Sequence, residues 1–437
     1  MPDHILTEAM QTVYASFNRS PRTHRDIDRH PEHTGHLLEA IGRPDWAFPA
    51  ILVTGSKGKG STSYFLSELL RITQQPVGLF TGPHLLDNLE RIRIDGQPVT
   101  AQTFLDAFLA LAPALRVIDR QLPPGQYLGP VGILAAVAAQ IYARRGVKWA
   151  VFETGRGARF DDVAQIRHAT AVVTALLPEH LEELGPGLSD IAWHKAGVIG
   201  TETATVILGD ATPILEKAIR LRIKELGTQP NIILSSQRVR VTNPVTTAAG
   251  TRFDLEFVDG RRWSRLASPH VGPVIPNLAL AVAAAEQLVG ALPEIAVRRL
   301  TQRMRWPGRG EVLSTAPYVV LDAAIHPDSL TPWLASLSQP FDRAVLSVPE
   351  GKDRPGLKTL IERYSRQIFY TTCSNPRLSY DYRGLPMRPG DRLLPEVSRA
   401  LTEALADLAA NHRILLAGTL SFVADVYRHL GREVVVP

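Results

Sequence analysis

Residues 54–62 read TGSKGKGST and follow directly on the apolar run AILV. Three glycines and two lysines in nine residues cannot build a packed core, but they suit a backbone that must approach a charged ligand closely. A glycine-rich loop between a strand and a helix aims several backbone N–H groups at one place, beside a helix N-terminus that favours anions. Lys59 would set a point charge on phosphate, and Ser61 or Thr62 would offer a hydroxyl to Mg²⁺. The strict consensus G-x-x-x-x-G-K-[ST] is not met, because Val53 stands at its first glycine and Gly60 follows the lysine. Strand, loop and helix nevertheless come in the order that phosphate binding requires.

The rest of the chain supports a fold around such a loop. AILVT, KWAVFE, TAVVTALL and ATVIL read as buried strands, separated by helical stretches such as STSYFLSELLRIT and GPVGILAAVAAQIYARRG. That alternation predicts a parallel sheet covered by helices. RVRVT and TRFDLEFV predict a small antiparallel elaboration, followed by an Ala-rich helix, NLALAVAAAEQLVG. WPGRG at 306–310 is punctuated by Pro and Gly and marks a domain boundary. Beyond it YVVLD, RAVLSV, QIFYTT and RILLA resume the alternation. The expected class is α/β: a large P-loop parallel-sheet domain over 1–305, then a smaller Rossmann-like α/β domain over 306–437.

Bulk properties narrow the function classes. The 437 residues are 45% hydrophobic and 21% charged, as in ordinary globular proteins. A single cysteine, Cys373, rules out an intrachain disulfide framework and a Cys-based zinc site. No basic region followed by an apolar one opens the chain, and no apolar stretch reads as long enough to span a bilayer, so a reducing cytoplasmic setting without a membrane partner is expected. The net charge of +5 favours anionic ligands in general. The basic residues are spread out, and no nucleic-acid-binding signature is present, so no nucleic acid is expected as a partner.

The variant loop G-x-x-G-K-G-S resembles the Mur ligase superfamily, and within it the folylpolyglutamate synthase/dihydrofolate synthase family. Further segments in register carry the resemblance: GLFTGPHLLDNLERIRIDGQPV (78–99), FETGRGARFD (152–161), PEHLEELGPGLSDIAWHKAGVI (178–199), WPGRGEVL (306–313), VVLDAAIHPDSL (319–330) and LLAGTLSFVADV (415–426). The resemblance implies an ATP-dependent amide ligase. A substrate carboxylate would attack the γ-phosphate of ATP to give an acyl phosphate, and the amine of an amino acid, glutamate in the folate enzymes, would displace phosphate. Small-molecule partners, a monomer, and ATP with two Mg²⁺ ions are the corresponding expectations.

Residue by residue, Gly55, Ser56, Lys57, Gly58, Lys59, Gly60, Ser61 and Thr62 would cradle the phosphates. Glu153 ends its strand where open α/β sheets bind ligands. By resemblance Glu153, His180 and Ser61 are Mg²⁺ ligands, and Lys195 matches a lysine that is often carbamylated and helps to place a second ion. Asn277 matches an asparagine near the adenine, Arg309 would reach the γ-phosphate, and Asp322 would contact the nucleotide from the smaller domain. The catalytic set would be Lys59, Lys195 and Arg309, assembled by domain closure. Plainer readings stand beside these: a solvated carboxylate for Glu153, a capping or surface histidine for His180, an ordinary ion pair for Lys195, and a helix N-cap for Asn277.

The sequence also departs from the family pattern. Gly82 stands where the family has a Mg²⁺-binding serine, Arg156 adds a charge to the acidic loop, Ile325-His326 replaces a His-Asn pair, and Glu179-His180 replaces Asp-His. Three readings remain open on sequence: a folate-glutamate ligase, a ligase of the same mechanism for another acid and amine, and a nucleotide-binding regulatory protein with little turnover.

Overall fold

A computed structural model describes residues 2–19, 29–272, 274–337 and 339–433. The chain divides into two compact units. One comprises Met1–Arg240, Phe257–Gly260 and Asn277–Pro293, and the other Val241–Glu256, Arg261–Pro276 and Glu294–Pro437.

The first unit is built on an eight-stranded sheet. Its strands are β1 (Ala50–Thr54), β2 (Val77–Phe80), β3 (Ile92–Ile94), β4 (Gln97–Pro98), β5 (Trp149–Glu153), β6 (Thr170–Val173), β7 (Thr205–Leu208) and β8 (Asn231–Leu234). They lie in the order β4-β3-β2-β5-β1-β6-β7-β8. β2, β5, β1, β6, β7 and β8 run parallel, and β3 and β4 extend one edge antiparallel. Every residue of β1 is buried, which is why AILVT is continuously apolar rather than alternating. In register, Val53 faces Glu153 on one side and Val172 on the other. The C-terminal ends of β5, β1 and β6 therefore finish side by side, and everything that follows them shares one edge.

TAVVTALL does not stay a strand to its end. β6 stops at Val173 because the next residues bond the glycine loop instead. Thr174 Oγ1 donates to Lys57 O at 2.6 Å, and Ser56 N donates to Ala175 O at 2.8 Å. The helix Pro130–Arg145 is terminated by Gly146 in the left-handed region, φ 60°, the usual geometry of a glycine C-terminal cap.

One expectation is corrected. The helix Ala101–Gln121 has 21 residues and an 18-residue window of mean hydropathy 1.4, so it is long and apolar enough to cross a membrane. In this fold it is amphipathic. Phe104, Leu105, Ala107, Phe108, Leu111 and Leu115 are buried in the core of the first unit, while Leu109 and Val117 are exposed.

The second unit carries an antiparallel sheet, β9 (Val239–Thr247), β10 (Gly250–Phe257) and β11 (Arg262–Ser268), in the order β11-β10-β9. The third strand, RWSRLAS, was not predicted, because its charged residues obscure the alternation. A six-stranded sheet follows: β12 (Glu311–Thr315), β13 (Tyr318–Asp322), β14 (Phe341–Ser347), β15 (Ser365–Tyr370), β16 (Arg392–Leu393) and β17 (Arg413–Gly418), ordered β12-β13-β17-β14-β15-β16. All neighbours are parallel except β12 and β13. The segment 294–305, expected in the first domain, packs with this unit. Arg298 on the helix Glu294–Arg303 donates to the carbonyls of Ser264 and Arg265, both at 3.0 Å.

Residues 306–310 are clasped by His270, which is fully buried. Its Nδ1 donates to Arg309 O at 2.9 Å, and its Nε2 accepts from Trp306 N at 3.1 Å. The second bond needs the neutral ring, because a protonated Nε2 cannot accept. Burial pushes this histidine down to about 4. The unfolded chain takes up a proton near 6.5 and the folded chain only near 4, so between these values the unfolded state binds more protons and stability falls as pH falls. We expect on the order of 3 kcal/mol to be lost between pH 6.5 and 4 from this group. Denaturant midpoints measured across that range should slope less steeply in His270→Gln than in the unaltered protein.

Candidate functional site

The loop after β1 leads into the helix Lys59–Thr73, whose N-cap is Gly58 with φ 85°. No side chain caps this helix, and its first turn holds no acid. Its leading N–H groups and the positive end of its dipole are thus left for an anion. Two glycines have no substitute here. A Cβ on Gly55, φ +136°, would lie 1.9 Å from Thr174 Oγ1, and one on Gly58 would lie 2.4 Å from Asn277 Oδ1. The backbone therefore runs closer to its neighbours than any side chain would permit.

Within the loop, Lys59 Nζ folds back to Gly55 O at 2.8 Å. Ser56 is buried and donates its hydroxyl to Leu177 O at 2.9 Å, so it braces the loop. Ser61 Oγ accepts from Asn277 Nδ2 at 3.0 Å. Thr62 is fully buried and its hydroxyl has no hydrogen-bond partner, which leaves Ser61 as the hydroxyl for a metal ion. Asn277 does not cap its helix. The helix begins at Val274, and Asn277, inside its first turn, braces the glycine loop.

The first unit's remaining candidates gather at the same sheet edge. Glu153 is mostly buried and accepts Gly82 N at 3.1 Å. His180 adopts φ 52° and sets its Nδ1 3.6 Å from Glu183 Oε2. Lys195 is completely buried and donates to Glu179 Oε1 at 3.3 Å and to the carbonyl of Arg156. Burial, reinforced by Lys59, pushes this lysine down to about 7.

Glu179 is the residue that sequence reading missed. Its Oε2 lies 3.4 Å from Lys57 Nζ while Oε1 takes Lys195. Burial works to raise its pKa, but Lys59, Lys195, Lys57 and His180 together hold it below the ordinary range. One carboxylate thus answers three lysines. The signal for it lay in the acid immediately before His180, just beyond a strand end.

The donor set suits Mg²⁺ in part. Glu153 and Ser61 offer the hard oxygens that Mg²⁺ takes, one or two from protein and the rest from phosphates and water. Among the described residues Glu153 and His180 belong to no cluster of three ligand atoms close enough for one ion, and Lys195 as an amine is no oxygen donor.

The departures have structural explanations. A Cβ on Gly82 would lie 2.8 Å from Arg91 Nη1, so a serine there would press on a guanidinium that His84 Nδ1 also holds, at 3.1 Å. Arg156 pairs with Glu183 at 2.5 Å. In the second unit Ile325 packs against the core, and His326 caps the helix Pro327–Leu334. Arg309 is half-buried in a corner fixed by Gly308 N on Glu311 Oε2 at 3.0 Å and Gly310 N on Asp322 Oδ2 at 2.7 Å. Asp322 also accepts Ala324 N at 2.6 Å. It is buried, with a pKa pushed up to about 6 by that burial, and its carboxylate serves this corner.

A P-loop on a parallel sheet, followed by a second parallel α/β unit, defines the Mur-ligase-type class of ATP-dependent ligases. Within it the chain is similar to the folylpolyglutamate synthases/dihydrofolate synthases. It is 27% identical over 414 residues to the dihydrofolate synthase/folylpolyglutamate synthase of Mycobacterium tuberculosis, covering 90% of this chain and 84% of that protein. It is 29% identical over 402 residues to the folylpolyglutamate synthase of Lacticaseibacillus casei, covering 90% and 92%. The apo structure of the L. casei enzyme superposes with a TM-score of 0.80 at 25% identity, covering 97% of this chain and 99% of that one. A M. tuberculosis folylpolyglutamate synthase complexed with ADP gives 0.85 at 24% identity, covering 99% and 100%. No protein-family profile matches the chain.

Removing the amide of Asn277 deletes its bond to Ser61 and opens the space beside Gly58. A hydrogen bond of this kind contributes about 1 kcal/mol. Asn277→Ala is therefore expected to weaken nucleotide affinity about five- to tenfold, read by calorimetric titration with a non-hydrolysable ATP analogue, with little change in melting temperature.

Proposed function

We propose that the chain is an ATP-dependent carbon–nitrogen ligase that adds glutamate to a folate through an acyl phosphate. The observation that carries this reading is the sheet edge where an uncapped helix N-terminus lies beside Glu179, which pairs with Lys57 and Lys195 and is held ionised by Lys59 as well. Such a site demands a multiply charged anion, and ATP supplies one. The relatives' names and their solved complexes with ADP, with an ATP analogue and with folate support the same substrates here.

In this reading the glycine loop binds the polyphosphate, and Lys59 turns from Gly55 O onto it. Mg²⁺, held through Ser61 and Glu153 with His180 close by, would neutralise developing charge. Lys195, with its pKa near 7, has a large neutral fraction at physiological pH, and the neutral amine is the form that reacts with CO₂. Its carbamate would supply the oxygens that the amine lacks. Arg309, whose fork matches phosphate geometry, would stabilise the transferring phosphoryl group. A monomer in the cytoplasm, acting on small molecules only, completes the proposal. A second reading, the same chemistry on another acid, is favoured by Arg91, which takes the space a side chain at position 82 would need.

The test combines protein, Mg²⁺, ATP and glutamate with tetrahydrofolate, with dihydropteroate or with neither, and follows phosphate release and product mass. A folate one glutamyl unit heavier is expected. Phosphate release without it, in a screen of other acids, would move the assignment to the second reading, and nucleotide binding without any turnover would overturn both. Lys59→Ala should lower turnover at least a hundredfold, the usual scale for removing one group that stabilises transition-state charge, with an unchanged circular-dichroism spectrum. Full activity in that variant would overturn the P-loop assignment.

A further inference from the structure

The helix Glu32–Ala40 opens a stretch that reads H-P-E-H-T-G-H from His30 to His36. His30, Glu32 and His33 each present one ligand atom, and these atoms all lie within 4.8 Å of one another. Nothing in the ligase reading uses them. His30 Nδ1 and Glu32 Oε1 are 2.7 Å apart, and the rings of His30 and His33 are 5.5 Å apart at centroids. His33 is buried, and its Nε2 meets Gln126 Oε1 at 2.7 Å. An amide oxygen only accepts, so Nε2 donates here and Nδ1 is the nitrogen left to face a ligand. A ligating histidine typically shows this state, its second nitrogen donating to an oxygen that fixes ring and tautomer. His36 lies one helical turn beyond His33, with centroids 6.1 Å apart, and is exposed.

We propose that His30, Glu32 and His33, oriented by Gln126, form a binding site for a zinc-class divalent ion, with His36 or water in the fourth position. Tetrahedral zinc with bonds of about 2.0–2.1 Å holds its ligand atoms about 3.3 Å apart. Closing from 4.8 Å falls to His30, which is partly buried, and Glu32, which is exposed. Two imidazoles and one carboxylate select zinc-type ions over Mg²⁺, so the site is distinct from the nucleotide's metal. A cation at a helix N-terminus is opposed by the dipole, and the Glu32 carboxylate in the first turn offsets that. Binding would join this helix to the segment holding Gln126, about ninety residues later in the chain.

The probe is Zn²⁺ alone, added to untagged, metal-stripped, full-length protein in competition with a chromophoric chelator. We expect one equivalent per chain, undisplaced by excess Mg²⁺. Gln126→Ala should weaken binding about 10- to 100-fold, the scale seen when a ligand's outer partner is lost. His33 is buried, so its replacement risks the fold; the double variant His30→Ala with Glu32→Gln changes more exposed groups and should abolish the equivalent while circular dichroism stays unchanged. Unaltered zinc affinity in that double variant would place the ion elsewhere and overturn the proposal. Failure of the unaltered protein to compete with the chelator would do the same. Neither result bears on the ligase reading, which the folate assay tests separately.

Discussion

At two positions of the turn between β1 and its helix no side chain fits. Gly55 and Gly58 lie at positive φ, and each is pressed from outside by a residue distant in sequence, Thr174 or Asn277. The loop is therefore held by its surroundings even though its own sequence is flexible. Thr174 adds a hydrogen bond to Lys57 O, and Asn277 adds one to Ser61. The nucleotide-binding edge depends on this arrangement, because the orientation of the helix N-terminus and of Lys57 and Lys59 follows from it. It also explains why the strict P-loop spacing is dispensable. A shorter turn works when the next strand and a distant helix supply the bracing.

Charge is the second constraint, and it follows from the first. The braced loop brings Lys57 and Lys59 toward the edge where Lys195 is already buried, with Glu179 as the carboxylate between them. A buried cation such as Lys195 is costly unless paired or discharged. The protein does both: Glu179 stays ionised against its burial, and Lys195 moves toward neutrality. A polyphosphate would relieve the same imbalance. The surplus of positive charge thus fits ligand binding better than it fits the ligand-free fold.

Much of this was legible in the sequence where a single residue type has a single physical use. The strand AILVT, the glycines after it and the strand-end Glu153 announced themselves. What escaped was whatever depends on distant neighbours. Asn277 reads as an N-cap from its position before an Ala-rich run, yet the helix starts earlier and its amide braces the loop. Asp322, at a strand end, also accepts two backbone N–H groups that only the fold reveals. β2, β3 and β8 are too short for periodicity to reveal them. The apolarity of Ala101–Gln121 went unnoticed because four charges, Asp106, Arg116, Asp119 and Arg120, interrupt the helix.

The departures from the family pattern are better understood as exchanges than as losses. Gly82 gives up a side chain, and the Arg91 guanidinium lies where that side chain would go, while the Gly82 N–H holds Glu153. A hydroxyl that would donate an oxygen to a metal is thus replaced by a fixed cation near the same carboxylate; burial lowers the pKa of that arginine, and the charge of Glu153 partly offsets the shift. Ile325 trades polarity for core packing, and the following His326 caps a helix. Two further departures bear on Lys195 directly: Glu179 pairs with it, and Arg156 offers it a backbone carbonyl. The exchanges therefore fall around Glu153, around Lys195 and at a helix cap of the second unit, while the glycines and lysines of the loop itself keep their places.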